Sequence, residues 1–114
     1  MSDCIFCKIA NKTISSKLIY EDDQIVAFDD LRPQAPVHSL VIPKRHVVSV
    51  QELGEQDQAL LARLLLACTK IVKLKGLAEN GYRLVTNTGR DGGQSVFHLH
   101  FHVLGGRHMA WPPG

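Results

Sequence analysis

The chain has 114 residues, 45% of them hydrophobic, and a formal net charge of +2. This length suits one compact domain, residues 1–114, with an apolar fraction large enough for a core without disulfide staples. The basic residues are scattered or gathered on one helical face (Lys70, Lys73, Lys75), which excludes polymeric nucleic acid as the main partner and leaves room for a small anionic ligand.

No apolar stretch is long enough to span a bilayer. The start, Met1-Ser2-Asp3-Cys4, lacks the basic-then-apolar run of a secretory signal. No membrane association and a cytoplasmic location are therefore expected. Three cysteines, an odd number, argue against a disulfide framework in a reducing compartment.

In chain order, Phe6 to Ala10 can form a short helix. Leu18–Tyr20 and Gln24–Phe28 read as strands around the turn Glu21-Asp22-Asp23. Pro33 and Pro36 hold an irregular loop, and Ser39–Ile42 is a third strand that Pro43 ends. Ser49-Val50-Gln51-Glu52 has capping-box form and starts one helical turn. From Gln56 to Lys75 the apolar positions Leu60, Leu61, Leu64, Leu65, Cys68, Ile71 and Val72 recur at helical spacing, and Gly76 stops the helix. Tyr82–Thr88 and Val96–Leu104 read as two longer antiparallel strands joined by the turn-rich run Gly89–Ser95. The sum is an α+β domain: an antiparallel sheet of about five strands with one long helix on a face. Its edges invite pairing with a second copy.

His98, His100 and His102 alternate with Leu99, Phe101 and Val103. On a strand this puts three imidazoles on one face and three apolar side chains on the other. The apolar face can bury against the long helix, and the histidine face then looks into a cleft or at solvent. Same-face neighbours lie about 6.6 Å apart, so the outer pair is separated by about 13 Å. One metal bound by these three rings alone is disfavoured, although two neighbours can share an ion. The plain alternative is an amphipathic strand with surface histidines; three in register on an otherwise apolar strand favour a functional row. A neutral imidazole is a good nucleophile, and attack on phosphorus needs donors held around the oxygens. The flanking histidines, Ser95 and the N–H groups of Gly92-Gly93-Gln94-Ser95 are candidates. This glycine stretch leads into a strand, so it lacks P-loop context, and it reads equally as a hairpin turn.

The run Gly92-Gly93-Gln94-Ser95-Val96-Phe97-His98-Leu99-His100-Phe101-His102-Val103-Leu104-Gly105-Gly106 resembles the signature of the histidine triad (HIT) superfamily. Tyr20–Asp23, Pro33–His38, Leu40–Lys44 and the tail from Gly105 to Trp111-Pro112-Pro113-Gly114 are similar to its branch of histidine-triad nucleotide-binding proteins. The resemblance implies a homodimer whose two sheets join into one ten-stranded sheet. It implies hydrolysis of purine nucleoside 5′-phosphoramidates, including adenosine monophosphate or guanosine monophosphate linked to an amine such as lysine. No cofactor is implied for the chemistry. His100 matches the nucleophile, His102 and His38 match histidines that assist with phosphate and leaving group, and His98 matches a supporting histidine. Asn87, Ser95 and the Val96 N–H match phosphate-side contacts, and Asp30 matches a carboxylate that holds the ribose hydroxyls. Phe6, Ile9, Phe28, Leu31 and Leu40 resemble the walls around the base. The residues alone do not choose between Asp29 and Asp30.

Cys4-x-x-Cys7 is half of a tetrahedral zinc site. His46 and His98 are the candidates for the other half, an arrangement that resembles a structural zinc of many bacterial HIT proteins. A redox pair and two small buried hydrophobes are the other readings of these cysteines. Cys68 reads as packing. In similar proteins the tail reaches the active site across the dimer, so residues 107–114, Trp111 included, are expected to dock there or to be disordered. The competing functions are a dinucleoside polyphosphate hydrolase or nucleotidyl transferase, and a nucleotide-binding scaffold without turnover. A transferase resembles a pattern with glutamine at the third triad position, where this chain has His102.

Overall fold

The structure, a computed structural model, describes residues 3–114. Met1 and Ser2, which open the stretch read above for a signal sequence, lie outside them. Five short runs rich in β-branched and aromatic residues become strands: β1 (Leu18–Glu21), β2 (Ile25–Asp29), β3 (Val37–Pro43), β4 (Tyr82–Val85) and β5 (Phe101–Gly105). They form one antiparallel sheet in the order β1-β2-β3-β5-β4. The central strand β3 pairs with β2 and β5, and one cross-strand row runs through Leu18, Phe28, Leu40 and His102. Residues in such a row stand on the same face of the sheet.

The long helix α2 (Gln58–Leu74) covers one face. It buries Leu64, Ala67, Cys68, Ile71 and Val72 against Ile25, Ala27, Val41, Leu99, Phe101 and Val103. Full burial of each large aliphatic side chain contributes about 1.5–3 kcal/mol, so this layer supplies most of the driving force. The sequence placed Leu65 on the apolar stripe, but it is exposed. One residue is a 100° turn around the helix, and Leu64 occupies the inward direction. The helix begins at Gln58 after a single 3₁₀ turn, Glu55–Asp57.

The other face carries a second apolar layer that the periodicity did not reveal. Helix α1 (Ile5–Ala10) lays Phe6, Ile9 and Ala10 on Val26, Phe28, Leu40 and Ile42. Six residues are too few for a helix that stands alone, so packing on the sheet holds α1 in place.

The last two strands are shorter than the sequence suggests. Tyr82–Thr88 ends as a strand at Val85, and Val96–Leu104 becomes regular only at Phe101. The intervening backbone bonds elsewhere: Leu99 N–H donates to Val47 O at 2.6 Å, and Thr86 Oγ1 donates to His100 O at 2.8 Å. Of the three histidines only His102 lies within a strand. The alternation nevertheless persists, with Leu99, Phe101 and Val103 in the α2 layer. The histidine face does not look at solvent as a whole, because α1 covers it: His98 is 0% exposed and His100 5%. Among the described residues, no helix is long and apolar enough to cross a membrane.

Candidate active site

A cleft of about 470 Å³, within the usual range for small-ligand sites, opens on the α1 face. Its apolar walls are Phe6 and Ile9 from α1, Phe28 and Leu31 from the end of β2, and Leu40 from β3. At one end stand His100, His102, Ser95 and Val96, and Asp29 and Asp30 also line it. The register explains the layout. His102, Leu40 and Phe28 belong to one row, so the triad end and the apolar walls face the same space. Ile5, Ser15, Ser16, Lys17 and Arg32 also line the cleft and were missed in the sequence. Their one available signal was chain adjacency: Ser15–Lys17 links α1 to β1, and Ile5 and Arg32 neighbour Phe6 and Leu31.

The hydrogen bonds fix where each ring carries its proton. His100 Nδ1 lies 2.8 Å from the carbonyl oxygen of His98. A carbonyl only accepts, so Nδ1 carries a proton, and in the neutral ring the lone pair is on Nε2. Gln34 N–H donates to His38 Nδ1 at 3.0 Å. The His38 proton therefore sits on Nε2, 2.8 Å from His102 Nδ1 and 3.5 Å from Asp30 Oδ2. His102 Nδ1 accepts, which leaves the His102 proton on Nε2. A second proton on His102 would meet the one from His38. Burial foremost, then His100 and His38, pushes His102 down to about 4, with Asp30 opposing. Burial also holds His38 and His98 below the ordinary histidine value. At neutral pH these three rings are uncharged.

The two adjacent aspartates separate. Asp29 accepts from Ser39 Oγ at 2.7 Å and pairs with Lys75 at 2.9 Å. Asp30 accepts from Arg32 N–H at 2.8 Å and stands beside His38. The carboxylate nearer the histidines is therefore Asp30.

Gln94 and Asn87 do not line the cleft; they brace the loop that does. Gln94 Oε1 accepts from Gly89 N–H at 3.0 Å, and its Nε2 donates to Val48 O at 2.6 Å and Val96 O at 3.1 Å. Asn87 Nδ2 donates to Gly92 O at 2.7 Å. A Cβ on Gly92 would press into the Thr88 carbonyl oxygen, so the turn requires glycine there. Trp111 is 80% exposed and lies by the Arg83 guanidinium, 5.9 Å away, not in the cleft of its own chain.

Cys4, Cys7, His46 and His98 converge, with one ligand atom from each within 4.8 Å of all the others. Cys7 Sγ is 3.2 Å from His46 Nδ1, and His98 Nδ1 is 3.3 Å from Cys4 Sγ and 3.5 Å from Cys7 Sγ. Tetrahedral zinc with bonds of about 2.0–2.3 Å sets its ligands about 3.3–3.8 Å apart. His98 Nε2 donates to Pro43 O at 2.8 Å, so the Nδ1 lone pair faces the two sulfurs. Two sulfurs and a lone pair in contact are the donor set of a soft cation, and these residues fit zinc. Burial, aided by Cys4, raises the Cys7 thiol; coordination acts the other way by removing its proton. Asp30, His38 and His102 also cluster. There a proton already lies between the two rings, and Gln34 N–H occupies the other His38 nitrogen, so this group is a hydrogen-bonded chain rather than a metal cage.

A family model for the HIT domain matches residues 11–109. The chain belongs to the HIT domain family. It is 54% identical over 112 residues to an uncharacterized HIT-like protein of Synechococcus elongatus, covering 98% of this chain and 97% of that one. A HIT family hydrolase from Legionella pneumophila superposes with a TM-score of 0.95 at 49% identity, over 98% of this chain and all of the other (100%). A histidine triad nucleotide-binding protein from Candida albicans gives a TM-score of 0.79 at 34% identity, over 89% of this chain and 73% of that one.

In this HIT domain the sheet thus serves two purposes with two faces. The α2 face carries the larger core. The α1 face carries the cleft, and within it His100, whose neutral tautomer presents Nε2 as its lone-pair nitrogen, stands beside an N–H on His102. That pair is equipped for nucleophilic attack with proton transfer to a leaving group.

Proposed function

We propose that this HIT protein hydrolyses purine nucleoside 5′-phosphoramidates through a covalent nucleotidyl-His100 intermediate, as a member of the nucleotide-binding branch of its family. The observation that carries the reading is the bond from His100 Nδ1–H to the His98 carbonyl, 2.8 Å long, which leaves Nε2 free to attack. The relatives described as a hydrolase and as a nucleotide-binding protein support the same direction.

In the proposed sequence the base lies between Phe6, Ile9, Phe28, Leu31 and Leu40, and Asp30 accepts from the ribose hydroxyls. Ser95 and the Val96 N–H hold phosphate oxygens, with Asn87 and Gln94 fixing their loop. Anionic phosphate favours protonated His102. The His38 Nε2–H then has Asp30 Oδ2, 3.5 Å away, as its other acceptor. His100 Nε2 bonds to phosphorus as the P–N bond breaks, and the departing amine takes the His102 Nε2 proton. Water next attacks phosphorus, gives a proton back to His102, and releases His100 with the nucleotide monophosphate. Cys4, Cys7, His46 and His98 would hold a zinc ion as a structural cross-link outside these steps.

A homodimer formed through the β4 edge is part of the reading. β4 is an outer strand and presents exposed Tyr82, whereas the large residues of β1 are half-buried. Exposed Trp111 on the tail then has the partner's cleft to dock against. The setting is the cytoplasm, where Cys4 and Cys7 are reduced at rest.

The test offers adenosine 5′-phosphoramidate and a dinucleoside tetraphosphate to the wild type and to His100→Ala. Cleavage of the first compound, lost in the variant, with a nucleotide trapped on His100 by mass spectrometry, is the expected result. Preference for the second compound, or tight nucleotide binding without turnover, overturns it.

A further inference from the structure

We propose that Cys4 and Cys7 are an oxidisable dithiol: a hydroperoxide converts them to a disulfide, expels the metal that holds His98, and so slackens the support of His100. The activity arm of this proposal rests on the function read above; its thiol and metal arms do not.

The two sulfurs are adjacent and reachable. Cys4 caps α1 and its Sγ accepts from Cys7 N–H at 3.4 Å. Both residues are half-exposed. Cys4 and His46 border an open depression of about 680 Å³, with Val96 and Phe97 on its other wall. A small oxidant thus reaches Cys4, and through it the pair, without entering the apolar cleft. Cys68, on the inner face of α2, is fully buried and is shielded from the same reagent.

Three contacts lead from the sulfurs to the nucleophile. The His98 ring lies 3.3 and 3.5 Å from Cys4 and Cys7. The His98 carbonyl holds His100 Nδ1–H. Phe6, between the cysteines in sequence, sets its ring edge-on to His98 at 5.9 Å and to His100 at 5.1 Å, and also walls the cleft. On zinc the sulfurs stand about 3.8 Å apart; a disulfide draws them to about 2.05 Å. The first turn of α1 must tighten, and the wholly buried His98 ring loses its cation.

The chemistry balances with hydrogen peroxide as co-reactant. One thiolate attacks a peroxide oxygen; an S–O bond forms, the O–O bond breaks, and hydroxide leaves. The second thiolate attacks that sulfur, the S–S bond forms, and a second hydroxide leaves. Two electrons pass from sulfur to oxygen, two protons convert the hydroxides to water, and the zinc ion departs. A dithiol reverses the step.

The test titrates the zinc-loaded full chain with hydrogen peroxide. It follows zinc with a chelating dye, free thiols, intact mass, phosphoramidate cleavage and the affinity for adenosine monophosphate. The expected result is release of zinc in step with the loss of about two thiols and about 2 Da, with a Cys4–Cys7 cross-linked peptide and Cys68 still reduced. kcat/KM falls roughly tenfold or more and returns after dithiothreitol and zinc, whereas Cys4→Ser forms no such cross-link and shows no reversible response. A gain of about 32 Da per cysteine in place of the cross-link overturns the proposal. A cross-link that leaves both kcat/KM and nucleotide affinity unchanged overturns it too. Absence of cleavage by the reduced zinc protein defeats the function reading alone, and the coupling is then read from nucleotide affinity.

Discussion

The proton on His100 Nδ1 is held by the carbonyl oxygen of His98 at 2.8 Å, so one triad residue orients another through its backbone rather than its ring. The His98 ring is turned the opposite way, between Pro43 O and the two cysteines. Replacing His100 removes the lone pair without touching that anchor. His100→Ala is expected to lower kcat by roughly a thousandfold or more, with nucleotide affinity within about tenfold of wild type because the apolar walls remain. Single-turnover kinetics with binding by calorimetry checks the split.

The depressed His102 value makes stability depend on pH. Unfolded, this ring binds a proton near pH 6.5; folded, it does so only near about 4. Between those values the unfolded chain holds more protons, so stability falls as pH drops through that window and is unaffected by this group above it. The melting temperature should decline from about pH 6.5 toward 4, and His102→Gln should flatten part of the decline. Asp22, held down to about 2 by its hydrogen bonds from Gln24, Tyr20 and Arg63 against the cost of burial, acts at lower pH and is separable.

Gln94 is 9% exposed and its amide makes three hydrogen bonds to backbone. Gln94→Ala leaves those groups unpaired and should cost about 2–4 kcal/mol. Because the loop carries Ser95 and Val96, KM should rise as well. Urea denaturation and steady-state kinetics on the same variant measure both effects.

Purified protein should carry about one zinc per chain, bound by four ligands. Cys7→Ser, or a strong chelator, should remove the metal and lower the melting temperature, since metal binding free energy is also folding free energy. Elemental analysis beside calorimetry checks this, and an unchanged melting curve after metal loss defeats it.

The sequence made the α2 layer legible because helical spacing in 56–75 and alternation in 99–103 are both direct readouts of burial. The sheet order was legible only in part. The run 96–100 alternates like a strand, yet its N–H and C=O groups bond to Val47 and Thr86, contacts distant in sequence that no local pattern encodes. The burial of His98 and His100 was hidden for the same reason, because the six residues of α1 carry too weak a period to announce a covering layer. The zinc-fitting quartet was readable in composition, since Cys4 and Cys7 share a turn; its convergence with His46 and His98 depends on the loop after β3. Asn87 was placed at phosphate by resemblance and Gln94 through the N–H groups of its glycine run; that their side chains brace the turn rests on hydrogen bonds that no local pattern encodes.

The separation of the sheet's two faces has an evolutionary corollary. Substitutions under α2 alter how firmly the platform stands and leave the reactive rings in place, while changes at the exposed cleft residues Ser15–Lys17, Leu31 and Arg32 retune which molecules are accepted at little expense to the platform. A lineage can therefore diversify its ligands on one side while selection polices durability on the other, so relatives of this chain should diverge fastest in the segments that precede β1 and follow β2.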